Sequence, residues 1–111
     1  MAYDSLINQY ASAHGLDPAT LRAFMRIESG GDPNARTGSY NGLFQLSRDE
    51  FGRYGGGNIF DPADNTRAAA SKLAAESADF RQKYGRDPSA ADLYMIHQQG
   101  SGGYAAHTAN P

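Results

Sequence analysis

Three features of this 111-residue sequence predict an all-α fold. Valine is absent and isoleucine occurs four times, so the β-branched residues that fill strands are scarce. Alanine, the strongest helix former, occurs eighteen times. Four of the five prolines follow aspartate, at Asp17-Pro18, Asp32-Pro33, Asp61-Pro62 and Asp87-Pro88. Three of these pairs precede a periodic apolar segment and are expected to mark helix starts, because the carboxylate accepts from unpaired N–H groups and the proline ring presets helical φ. A chain of this length forms one domain, residues 1–111, burying roughly 65% of its unfolded surface.

The elements follow in order. A first helix is expected from Asp4 to His14, with Leu6, Ile7, Tyr10 and Ala13 facing inward and Gly15 closing it. A second runs from Pro18 to Glu28 with Leu21, Phe24 and Met25 on one face, and Ser29-Gly30-Gly31 stops it. Residues 30–43 are rich in glycine and poor in aliphatics, and read as a loop. Ser47-Arg48-Asp49-Glu50 has the form of a capping box and opens a short helix through Phe51 and Tyr54. Gly55-Gly56-Gly57 ends it. The longest helix spans Pro62 to Tyr84, with Ala69, Leu73, Ser77, Phe80 and Tyr84 at helical spacing. The run Ala68-Ala69-Ala70 permits close helix packing. Gly85 stops it, Asp87-Pro88 opens a last helix through Leu93, Met95 and Ile96, and His97-Gln98-Gln99-Gly100 turns into a glycine-rich segment. The tail from Tyr104 has no closing element, so the domain is expected to be part of a longer polypeptide.

Composition excludes several functions. A net charge of −2 offers no basic surplus for nucleic acid. Without cysteine there is no disulfide scaffold and no thiolate zinc site. His14, His97 and His107 have no metal-ligand spacing, so neither metal nor cofactor is expected. The glycine runs precede no Lys-Ser/Thr and are turns, not phosphate cradles. Neither Ser29 nor Ser101 sits in a nucleophile elbow. No apolar run approaches the ~20 residues that span a bilayer, and Met1-Ala2-Tyr3-Asp4 does not open a signal peptide.

Glu28 is out of place. It lies seven positions after Leu21 and three after Met25, on the apolar face of its helix and at the negative end of the helix dipole. Desolvation and dipole both favour the protonated form, which a glycosidic general acid requires. The bland alternative is a last turn in which the carboxylate curls out to solvent.

The stretch Glu28-Ser29-Gly30-Gly31-Asp32-Pro33-Asn34-Ala35-Arg36-Thr37, followed by Gly42-Leu43-Phe44-Gln45-Leu46, resembles the lytic transglycosylase domain of the soluble lytic transglycosylase (SLT) family. That family carries Glu-Ser at a helix end, a Pro-x-Ala-x-Ser/Thr loop, then Gly-Leu-Met-Gln. Asp61-Pro62 and Asn65 are similar to its Asp-Pro-x-x-Asn element, and His97-Gln98-Gln99-Gly100 stands where it usually has Tyr-Asn-Ala-Gly. The resemblance covers nearly the whole chain. It implies a lysozyme-like fold of about five helices that cleaves the β-1,4 bond between N-acetylmuramic acid and N-acetylglucosamine in peptidoglycan.

The resemblance also implies that Glu28 is the sole catalytic acid and base. Thr37 and Gln45 match positions lining the saccharide cleft, and Phe44 replaces the usual methionine of an apolar wall. The loop from Thr37 to Gly42 is one residue shorter than the common pattern. His97 replaces a tyrosine that hydrogen-bonds the glutamate. The other reading of His97 is an ordinary, partly buried histidine at a helix end. Gln98 holds the family's asparagine place. Tyr40, Tyr94 and Tyr104 flank the loop and turn around the proposed site, so these rings are candidates to stack on sugar.

Two rivals remain. A muramidase or chitinase-like hydrolase would need a second carboxylate, with Asp32, Asp49 and Asp61 as candidates. A weakly catalytic peptidoglycan-binding or assembly module would keep the fold without the chemistry. The substrate places the domain in the periplasm or cell envelope, delivered by a larger exported protein, a secretion apparatus or a phage particle, and a monomer is expected.

Overall fold

The computed structural model describes residues 2–98. Among them are five helices and one two-stranded ribbon: α1 (Asp4–His14), α2 (Pro18–Ser29), β1 (Arg36–Thr37), β2 (Tyr40–Asn41), α3 (Arg48–Tyr54), α4 (Pro62–Tyr84) and α5 (90–98). The all-α class holds, and the chain divides into two units, Met1–Lys72 and Leu73–Pro111.

In the first unit, α1 ends where Gly15 enters the left-handed region and its N–H reaches back to Ala11 and Ser12. Ile7 and Ala11 are its buried residues, while Ala13 is exposed. The inward stripe therefore runs at i, i+4 from Ile7, which rotates Ala13 away. The side chain of Asp17 accepts from Ala19 N at 3.0 Å and starts α2. Leu21, Phe24 and Met25 bury the inner face of α2, and Arg22 meets Asp4 across to α1 at 3.0 Å. The capping box of α3 is complete: Glu50 N donates to Ser47 Oγ at 3.1 Å and Ser47 N to Glu50 Oε1 at 2.9 Å. Asp61 Oδ2 accepts from Asp64 N and opens α4. Ala68, Ala69 and Ala70 are all fully buried. A Cβ added at Gly55, the cap of α3, would lie 2.8 Å from Ala68 Cβ, so the small residues set a close approach.

Residues 30–43 contain more than a loop. Arg36 pairs with Asn41 and Thr37 with Tyr40 in an antiparallel ribbon closed by Gly38-Ser39, and Asn41 also bridges to Leu46. Two-residue strands carry no alternating pattern long enough to read.

In the second unit, Phe80 and Ile96 form a small core with Met95 packed on it. Tyr84 packs on Phe80 with ring centroids 4.6 Å apart and planes tilted by 43°, yet is 43% exposed, at the rim of its stripe. The last helix does not start at Asp87-Pro88. Ser89 Oγ accepts from Asp92 N at 3.1 Å, and Asp92 Oδ2 accepts from Ser89 N at 3.0 Å. This reciprocal pair satisfies two donors at once, and Arg81 engages the Asp87 carboxylate at 3.1 Å instead. The helix then continues through His97 and Gln98, which are not part of a turn. Residues 99–103 and Tyr104 lie outside the described residues, as does His107.

Candidate active site

Glu28 sits in the last turn of α2 and is half-buried. Helix α2 extends one residue past it. Ser29 Oγ donates to Met25 O at 3.2 Å and accepts from Gly31 N at 3.2 Å, which ties the helix end to the turn that follows. Gly30 takes φ 64° and sends its N–H to Arg26 O at 3.0 Å. The chain next folds through two hydrogen-bonded turns, Asp32 N to Ser29 O and Ala35 N to Asp32 O. Asp32 Oδ1 accepts from Asn34 N at 2.9 Å. These bonds fix the path from Glu28 to β1.

Thr37 and Tyr40 face each other in the ribbon and are both exposed. Phe44 is fully buried and Gln45 nearly so, at 5% exposure. Phe44 therefore belongs to the core behind the turn and presents no surface to a saccharide. Gln45 adopts φ 51°, and its Nε2 donates to Ala35 O at 3.1 Å and Gly42 O at 2.9 Å. Its Oε1 is buried and has no hydrogen-bond partner among the described residues. The side chain thus fastens the 42–45 turn to the segment leading from Glu28.

Sequence reasoning placed Asn65 in a helix-start element but missed what it does. It is 1% exposed. Its Oδ1 accepts from Phe44 N at 2.9 Å, and its Nδ2 donates to Ile59 O at 2.8 Å and Asn41 O at 3.2 Å. One amide therefore ties the 41–46 turn and the Ile59 segment to α4. The available signal was a polar residue heading the stripe Asn65, Ala69, Leu73. Gly42, at φ 84°, completes the clamp, since a Cβ there would collide with Asn65 Nδ2 and the Ile59 carbonyl.

Tyr94, His97 and Gln98 lie on one face of α5, in the second unit. Gln98 Nε2 donates to the Tyr94 hydroxyl at 3.0 Å, and His97 is half-buried. Among the described residues no group of three or more His, Asp or Glu side chains is disposed to hold a metal.

Residues 5–102 match the Transglycosylase SLT domain family. The chain belongs to that family. Its SLT domain is thus of the lytic-transglycosylase type that acts on peptidoglycan. Within it, the Glu-Ser helix end, the Ala35–Thr37 loop and the Gly42–Gln45 turn form one hydrogen-bonded assembly. Among the described residues no helix is long and apolar enough to cross a membrane.

Proposed function

We propose that this SLT domain cleaves the β-1,4 bond between N-acetylmuramic acid and N-acetylglucosamine, with Glu28 as general acid and then general base. The observation that carries the reading is the position of Glu28. It is half-buried beside the Phe24–Met25 core, at a helix end tied to the turns that follow. Protonated Glu28 gives its proton to the glycosidic oxygen, and the C1–O bond breaks as the substrate's N-acetyl oxygen closes on C1. The Glu28 carboxylate then takes the proton of the muramyl 6-hydroxyl. O6 displaces the N-acetyl oxygen from C1, which leaves a 1,6-anhydro ring. No water is consumed. The substrate lies in the periplasm or envelope, which is where the domain acts.

The three acids weighed as a second carboxylate favour the one-carboxylate route over the hydrolase. Asp32 closes a turn, Asp61 caps α4 and Asp49 lies in the first turn of α3. Each has a structural explanation that leaves Glu28 without an assigned second acid. Thr37 and Tyr40 supply exposed polar and aromatic surface for the sugar chain, and Gln45 shapes the wall behind them.

The test is the mass of muropeptides released from purified sacculi. An anhydro product is one water lighter than the hydrolytic product, which would instead assign a muramidase. Glu28→Gln should slow release by at least about 100-fold. Undiminished release by that variant would remove Glu28 from the chemistry, and no release by the parent would leave a binding module.

A further inference from the structure

Among the described residues, Arg22, Arg67, Arg81 and Arg86 each meet a carboxylate at 3.0 or 3.1 Å. Arg36 meets none. Its side chain is exposed, and its guanidinium lies over the Phe60 ring, 4.6 Å from the centroid. Stacking on a ring covers one face of the guanidinium and leaves its in-plane N–H donors free. The backbone beneath is fixed twice. Arg36 pairs with Asn41 across the ribbon, and the preceding carbonyl, of Ala35, accepts from both Gln45 Nε2 and Gly42 N. Arg36 is therefore an ordered cation, without a carboxylate partner among the described residues, on the segment that joins Glu28 to the ribbon.

We propose that Arg36 recognises a carboxylate carried by the muramyl residue of the substrate, and so selects muramyl strands over uncharged chitin-type chains. This rests on the peptidoglycan reading above. Muramic acid differs from glucosamine by its lactyl ether, whose carboxyl is either free or extended by a peptide stem that bears carboxylates. The planar fork of an arginine matches such a group with two parallel hydrogen bonds. Strand alternation puts Arg36 on the opposite face of the ribbon from Thr37 and Tyr40. It would thus meet a substituent projecting from the glycan, while those two residues meet the sugar. Holding the guanidinium on Phe60 in advance reduces the side-chain freedom lost on binding.

The experiment measures equilibrium binding of three equal-length glycans in a Glu28→Gln background, where turnover does not interfere. The glycans are a peptide-bearing muramyl strand, an amidase-stripped strand that keeps the free lactyl carboxylate, and a chitin oligomer without carboxylates. Arg36→Ala should weaken binding of muramyl glycan by roughly fivefold, with the loss shrinking as salt is raised. Chitin binding, or its absence, should be the same with and without Arg36→Ala. Arg36→Lys should recover part of the affinity. Loss confined to the peptide-bearing strand assigns the stem carboxylate, and loss on both muramyl strands assigns the lactyl group. Equal loss on chitin, or no loss on either muramyl strand, overturns the proposal. Failure of the Glu28→Gln protein with Arg36 intact to bind any of the three glycans overturns the peptidoglycan reading itself, which separates the two failures.

Discussion

Asn65 is the side chain on which the candidate site leans most. It satisfies two carbonyls and one N–H from segments up to 24 residues away, and its removal would take the acceptor from the Phe44 N–H and the donor from the Ile59 carbonyl, while the Asn41 carbonyl keeps the Leu46 N–H. Each buried polar group left unpaired costs about 1–3 kcal/mol. Asn65→Ala is therefore expected to destabilise the protein by roughly 2–4 kcal/mol, read from denaturant unfolding. Gly42 and Gly30 offer a contrast at the same scale. Both have positive φ, but the Cβ position at Gly30 is open while that at Gly42 is occupied by the clamp. Gly30→Ala should cost about 1–2 kcal/mol, the ordinary left-handed penalty. Gly42→Ala should cost clearly more, and equal losses would mean that the clamp yields. The sequence resemblance sets His97 at the family's tyrosine position. An imidazole ordinarily titrates near pH ~6.5 and a phenol does not. If His97 takes part in the reaction, His97→Tyr should remove a limb of the pH–rate profile in that range. An unchanged profile would exclude it.

The helices show how caps compete. Asp17 and Asp61 do what Asp-Pro predicts, since each carboxylate accepts from the first turn of its helix. Asp87 does not, because Ser89 and Asp92 form the reciprocal pair two residues later and Arg81 draws the Asp87 carboxylate away. Ser89→Ala should therefore destabilise α5 by about 1 kcal/mol, whereas Asp87→Ala, an exposed pair, should change stability by less than ~0.5 kcal/mol. Thermal melts of the two variants decide which residue starts the helix. The ribbon is the element that local rules could not find. Its strands are two residues long, and its pairing is held by Asn41–Leu46 and by Gln45 rather than by strand propensity.

At the scale of the molecule, the family match over residues 5–102 and the helical architecture agree with the motifs read from the sequence. The Glu-Ser helix end, the Gly-Leu-Phe-Gln turn and the Asp-Pro-x-x-Asn element are 13 to 37 positions apart in a chain with no internal repeat. Within the first unit the fold converts that spacing into contact: Gln45 bonds the segment after Glu28, and Asn65 bonds the turn that holds Gln45. The catalytic expectation follows at this level. Loss of muropeptide release in Glu28→Gln with unfolding unchanged would separate chemistry from stability, because a half-buried acid at a helix end contributes little to packing.

Helix existence, four of the five helix starts and the family were all legible in the sequence alone. Caps, glycine stops and apolar period act over three or four residues, so neighbours in the chain carry the whole signal. What only the tertiary structure decided is which motif residues face solvent. Phe44 and Gln45 read as cleft residues but lie buried. Asn65 read as part of a helix start but works as a clamp, and Arg36, unremarked in the loop, stands on Phe60. The physical reason is that these roles depend on partners 10 to 24 residues away. Such pairs leave no periodicity behind, and only the closing of the chain brings them together.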